Sequence, residues 1–286
     1  MKDGDAKTKW MTRQKIRISR RTFCDASMKG YNVALLLVLL LAVVFPAEGG
    51  AAPLSADEVA YNVYHRDVGR DMQMRGTMLL ISAGGQKRQR EYISMRLDSE
   101  ADRRVIIRFT APADIAGTGF LVREIKSSGE TEQHLYLPAL KRVRRIVASQ
   151  QGRKFVNSDF TYEDMHRHPL SAWTYTLAEE VTVLGRACYQ LISTPLPTTV
   201  SQYSSIISLI DMKTFMPLKS DFYDKDKRHC KTYVVNKIAV IDGIATELDV
   251  VMRDNLSQHS TVLHTNALAY NRNLKKSLFS VHALEK

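Results

Sequence analysis

Apolar and polar residues alternate with a period of two along most of the chain. Met72, Met74, Gly76, Met78 and Leu80 alternate with Gln73, Arg75, Thr77, Leu79 and Ile81, which gives one apolar face and one mixed face. Gly84-Gly85 turns the chain. Ile93, Met95 and Leu97 then alternate against Tyr92, Ser94 and Arg96, and Val105, Ile107 and Phe109 repeat the pattern. Three blocks follow between Arg108 and Asp164, RFTAPADIAGTGFLVREI, LYLPALKRVRRI and FVNSDFTYED, too closely spaced for helices to lie between them. They read as an antiparallel meander. Strand patterns resume at Trp173, Tyr175 and Leu177 and continue through 188–193, 204–211, 218–223, 232–241, 248–252 and 261–265, with turns at Asp224-Lys225-Asp226 and Asp242-Gly243.

Only one stretch has a clear helical period. Ser55 is placed to cap it, Asp57 and Glu58 sit in its acidic first turn, and Val59, Val63 and Tyr64 recur on one side, predicting a helix to about Val68. Weaker signals predict a short polar helix from Asp164 to His168 and a loose terminal helix over Leu274–Leu284, packed on the rim. About ten or eleven one-faced strands in series, with no repeat and no linker, predict a single mainly β (α+β) domain. A sandwich needs no helices. The N-terminal helix and the irregular Ala111–Gly119 segment instead favour one strongly curved antiparallel sheet, a half-barrel, lidded by a few helices. Asp114, Gly117, Thr118 and Gly119 mark a turn there that serves as a lid hinge or as a bulge curving the sheet.

Composition changes where that domain begins. Residues Met1 to Ala51 combine a basic start, including Arg20 and Arg21, with an apolar run from Val33 to Phe45 and small residues from Gly49. The run is short for a bilayer span, which takes about 20 residues. The expectation is a cleaved signal peptide, 1–51, for the general secretory or the twin-arginine route, followed by one domain over 52–286. The whole chain carries a formal charge of +11; the first 51 residues hold nine Lys and Arg against four acids, leaving +6 for the remainder. A mildly basic exported domain suits anionic lipid or an acidic protein surface, and no nucleic-acid module is present. Of the three cysteines, Cys24 leaves with the signal, and Cys188 and Cys230 either pair or sit as buried thiols.

The order of the central blocks carries a resemblance. Arg108-Phe109 with Pro112, Asp114 and Gly117-Thr118, the run Leu135–Leu140 ending in Arg144-Arg145-Ile146, and Ser158–Asp164 are similar to the LolA-like outer-membrane lipoprotein-sorting proteins. The resemblance implies a half-barrel, a periplasmic location, and carriage of a lipid or of lipoprotein acyl chains from the inner towards the outer membrane. It also implies an inner-membrane exporter or lipoprotein-release complex as partner. Outside the three blocks the chain departs from the best-known carriers.

The apolar faces nominate a cavity lined by Met74, Met78, Leu80, Ile93, Met95, Ile107, Phe109, Phe120, Leu135, Leu137, Phe160 and Trp173. Burying a long acyl chain there contributes on the order of 10 kcal/mol gross. Arg142, Arg144 and Arg145 are the candidates for a head group or a partner, unless Asp159, Glu163 or Asp164 pairs with them. Tyr136 and Tyr162 are candidate gates at the mouth. Glu163, Asp164, His166 and His168 form the densest metal-like cluster, without zinc-helix spacing, and no Gly-x-Ser-x-Gly elbow is present. A monomeric, non-catalytic protein without cofactor or metal is expected. The competing expectation is an accessory module that docks on an exporter, its concavity filled by its own helices.

Overall fold

The computed structural model describes residues 53–285, so the expected signal segment and Cys24 lie outside the described residues. The described chain opens with α1 (Ala56–His65). Its start follows from a reciprocal cap: the Ser55 hydroxyl accepts from the Glu58 amide, and the Glu58 carboxylate accepts from the Ser55 amide at 2.8 Å. Val59 and Ala60 form its buried side. The helix ends three residues short of the predicted Val68.

Fourteen strands follow, not ten or eleven. They are β1 (Asp71–Ile81), β2 (Lys87–Asp98), β3 (Asp102–Ala111), β4 (Gly119–Ile125), β5 (Thr131–Leu137), β6 (Arg142–Arg145) and β7 (Trp173–Leu177). The second half comprises β8 (Val181–Val183), β9 (Arg186–Pro195), β10 (Tyr203–Asp211), β11 (Pro217–Asp224), β12 (His229–Ile241), β13 (Ile244–Asp254) and β14 (His259–Tyr270). All belong to one curved, unclosed antiparallel sheet in the order β6-β5-β4-β3-β2-β1-β14-β13-β12-β11-β10-β9-β7, with β8 beside β9. Two meanders thus meet at a central seam, where β1 pairs with β14 from Met72 opposite Tyr270 to Ile81 opposite Ser260.

Cross-strand pairs share a face, so register decides what looks inward. Tyr92 lies opposite Gly76, Ser94 opposite Met74, and Phe109 opposite Tyr92. The inner face of β2 is therefore Tyr92, Ser94 and Arg96, and its apolar positions point outward. A Cβ on Gly76 would stand 2.6 Å from the Tyr92 ring, so the missing side chain is what lets Tyr92 lie across the inner face.

Two irregular segments cover the sheet. The first is the strap between β6 and β7, residues 146–172. Its FVNSDFTYED block is not a strand: left-handed angles at Val156 and Asn157 fold it back on itself, and a lone bridge joins Lys154 to Thr161. The turn aims its aromatic residues into the concavity. Phe155, Phe160 and Tyr162 pack with Phe109, Phe120, Ile107, Val122 and Leu135 in the main apolar cluster. Buried carboxylates fasten the strap. Asp159 accepts from Thr261 and His259 at 2.7 Å, Glu163 accepts from Ser201 and Gln202, and Asp164 accepts from Lys231 at 2.9 Å and Tyr203 at 2.6 Å. The predicted helix at Asp164 reduces to a 3-10 turn, Glu163–Met165.

The second covering segment is the C-terminus, a 3-10 turn at Lys276–Leu278 and α2 (Val281–Leu284). It packs on the outer face of β2–β4, not on the rim. Phe279 and Leu284 bury against Ile106 and Leu121, with Met95 and Leu97 alongside, and Arg104 and Arg108 donate to the carbonyls of Phe279 and Ala283. Fully burying two such side chains stabilises the contact by roughly 3–6 kcal/mol. Cys188 and Cys230 are both buried and unpaired, so no disulfide links β9 to β12.

Asp102, at the start of β3, shows the electrostatic side of this packing. Burial alone would raise its pKa, but bonds from Arg104 at 2.7 Å, Arg123 at 2.8 Å and Ser99 at 3.0 Å hold it far below the usual carboxylate range. A carboxyl with a depressed folded-state pKa contributes stability that is present above about pH 4 and is lost as pH falls through the folded value. Denaturant unfolding of the wild type is therefore expected to show stability declining below about pH 4. Asp102→Asn should be less stable at neutral pH and decline less steeply, and parallel pH curves for the two would refute the assignment.

Candidate functional site

The strap fills the concavity over β2–β5. α1 covers the other half, where Val59 and Ala60 pack on Leu191 and Ile210. Between these two covers the inner face of the sheet is left unfilled, and a partly open cavity of about 590 Å³ remains. That size lies inside the roughly 300–1,000 Å³ range of small-molecule sites. Its floor is the inner face of the central and C-terminal strands, with Met74, Ile206, Phe222, Val250, Met252 and Leu263. Its walls are Val63 and Tyr64 from α1 and Phe160, His166, Arg167 and Leu170 from the strap.

Each predicted residue has a definite place. Met74, Phe160 and Trp173 line the cavity, with Trp173 stacked on His168 at 4.4 Å between ring centres. Met78, Leu80, Ile107, Phe109, Phe120 and Leu135 are buried beneath the strap in the main cluster, and Leu137 packs against that cluster. Ile93 and Met95 lie on the opposite face from Tyr92, and Met95 packs under the C-terminal segment. Tyr162 is likewise buried in the main cluster and not at the mouth.

Arg142 and Arg144 belong to the exposed edge strand β6 with Arg145, and none of the three has a carboxylate within 4 Å among the described residues. The expected partners are committed elsewhere: Asp159 to Lys154 and His259, Glu163 to His168, and Asp164 to Lys231. Pairing therefore does not fix this edge.

Sequence reading missed a group of cations at one end of the sheet, where β2 and β4 finish and β3 and β13 begin. Arg103 donates to Glu124 at 2.8 Å. Arg167 brackets the same carboxylate through its backbone amide at 3.0 Å and its Nε at 2.8 Å, donates to the Tyr64 carbonyl, and lies over the Tyr64 ring at 4.2 Å. Arg66, at the end of α1, is 3.5 Å from Glu247, which also accepts from Tyr233. Arg96 is buried against the carbonyls of Val68 and Gly69. Burial, and then the nearby Arg103, pull the Arg96 guanidinium down to about 10. Burial also lowers Arg103, with Glu124 opposing the shift. Glu124 would be raised by burial, but Arg103 and Arg167 hold it low. The signal available in the sequence was an arginine at inward parity in both β2 and β3. Among the described residues no group of three or more His, Cys, Asp or Glu is arranged to hold a metal ion.

A sheet of this topology has known counterparts. A model for an "Uncharacterized protein" family matches residues 101–286. A DUF1329 family protein from Desulfovibrio piger superposes with a TM-score of 0.76 at 28% identity, covering 80% of this chain and 97% of that one. A putative outer membrane lipoprotein-sorting protein domain from Vibrio parahaemolyticus superposes with a TM-score of 0.75 at 26% identity, covering 81% and 98%. The chain belongs to the family whose model matches residues 101–286, and its fold is LolA-like. A LolA superfamily protein from Nitrosomonas europaea shares the fold at 17% identity, with a TM-score of 0.63 and coverage of 81% and 100%. No curated protein matches the sequence. The fold shared with these structures is one unclosed antiparallel sheet, here with covers on its concave side.

Proposed function

We propose that the protein is a periplasmic carrier that encloses the hydrocarbon part of a lipid, or of a lipoprotein's acyl chains, and moves it from the inner towards the outer membrane. The observation that carries this reading is the 590 Å³ cavity left between α1, the strap and the sheet. A curved sheet that needed only a core would be filled by its own covers, as it is under the strap. Each methylene moved from water into such a site contributes about 0.8 kcal/mol, enough for a soluble protein to hold a chain that water rejects. Residues 1–51 act in this reading as the export signal, and the domain works alone, without catalysis or cofactor. Arg142, Arg144 and Arg145 on β6, without a carboxylate within 4 Å among the described residues, serve to dock an acidic face of an inner-membrane exporter or release complex.

Solvent extraction and mass spectrometry of the purified protein test the reading. The expected result is a lipid at near-stoichiometric amount, falling by roughly tenfold in Val63→Trp, which fills the cavity from α1. Lipid absent from the wild type and from lipid-loaded protein alike would eliminate carriage. The docking module without cargo is the second reading, favoured by the exposed arginines of β6. It requires that replacing all three abolish partner capture while the cavity stays empty.

A further inference from the structure

We propose that Arg66, Arg103 and Arg167 form a receptor for the anionic head group, phosphate or carboxylate, of an amphiphile whose tail occupies the cavity. This rests on the carrier reading and specifies its ligand. All three side chains line the cavity, and they are 22%, 17% and 25% exposed. They are neither solvated surface charges nor a closed ion-pair network.

Their donors are not used up. Among the described residues Nη2 of Arg167 has no hydrogen-bond partner, Nε of Arg103 has only the Asp98 carboxylate at 3.9 Å, beyond hydrogen-bond reach, and the Arg66 contacts are long, 3.4 Å to the Ala245 carbonyl and 3.5 Å to Glu247. A buried donor without an acceptor costs stability, so a ligand oxygen that takes it up gains more than it would in water. The charges do not cancel either. Arg96 adds a fourth cation to this end, against three carboxylates: Glu124 is shared by Arg103 and Arg167, Glu247 lies 3.5 Å from Arg66, and Asp98 is held by Lys126 at 2.7 Å and lies 3.9 Å from Arg103. The excess is positive, next to an apolar floor.

Geometry supports an anion over a general attraction. The Arg167 plane is fixed by Glu124 on one edge and by the Tyr64 ring beneath it, and Arg103 is held by the same Glu124. Two guanidinium forks pinned to one carboxylate present their remaining N–H groups without further loss of side-chain freedom. Planar forks match phosphate and carboxylate oxygens, whereas an alcohol or a hydrocarbon offers them at most one acceptor.

The test compares ligands of equal chain length on the purified wild-type protein, read by displacement of a neutral naphthylamine dye. Dodecyl phosphate and dodecanoate are expected to compete at least roughly tenfold better than dodecanol, the scale of charge-assisted hydrogen bonds. Comparing the two acids identifies the preferred head group. In Arg66→Gln, which leaves the buried Glu124 pairs intact, the advantage should shrink to under about threefold while dodecanol affinity holds. Equal competition by dodecanol in the wild type overturns the receptor and leaves the carrier reading standing. Inorganic phosphate competing as well as dodecyl phosphate overturns it in favour of a free-anion site. Failure of the dye and of every amphiphile to bind removes the carrier reading too.

Discussion

Phe155→Ala is expected to destabilise the protein by about 4 kcal/mol and to lower its melting temperature by roughly 10 °C. Phe155 is 1% exposed at the centre of an aromatic group, with ring centres 4.9 Å from Phe120, 5.9 Å from Tyr162 and 6.1 Å from Phe109. Truncating it loses the burial of the ring and leaves a void that the flanking rigid strands close only in part. The effect reaches function because Phe155, with Phe160 and Tyr162, seats the strap in the concavity, and the strap is a wall of the cavity. Calorimetry on the variant gives the stability, and lipid content measured in parallel should fall with it. A melting shift under about 3 °C would show that the strap is not seated by this ring.

Asp159→Ala should cost about 3 kcal/mol, by a different physical route. The side chain is fully buried and accepts from Thr261 and His259 at 2.7 Å and from Lys154 at 3.3 Å, while its own amide donates to the Thr261 hydroxyl. Removing the carboxylate strands the Thr261 and His259 donors, while Lys154 keeps Asp254 at 3.0 Å, and stranding buried donors is costlier than never having built the group. Asp159→Asn keeps the size and one acceptor, so its loss should be about half as large. Urea unfolding of the pair against wild type measures both, and equal stability for all three proteins would mean that the fastening is not energetic. The aromatic and the polar anchors lie in one short block, so the double substitution should fall short of additive.

How much of this could be read from the chain depended on which question the pattern answers. Period two placed the strands of both meanders, and Ser55 with Glu58 fixed the start of α1, because those signals are local. Parity along a strand separates two faces but does not say which of them is inside. In β2 both faces could pass for buried, Ile93, Met95 and Leu97 against Tyr92, Ser94 and Arg96. The choice is made by the partners across the ladder and by the C-terminal segment that covers the outer side. The FVNSDFTYED block carries strand-like alternation, yet Asn157 and Val156 take left-handed angles and turn it into a plug. Its aromatic residues then filled the half of the bowl where Phe109, Phe120 and Leu135 had been assigned to cargo, and the space moved towards Val63, Ile206 and Phe222. β8, three residues beside β9, is too short to leave a periodic trace.

The seam between β1 and β14 has a kinetic consequence. It joins strands from opposite ends of the described chain, with Met72 against Tyr270, and it is the ladder that unites the two meanders. Each meander can zip through neighbouring hairpins, but they cannot unite until the last strand has been synthesised and has found the first. Such long-range closure makes a slow folder, on a timescale of roughly milliseconds to seconds. Until it closes, β1 and β14 present open edges able to capture other chains. Helpers that shield unfinished strands would therefore matter more to this protein than to a helical one of equal length.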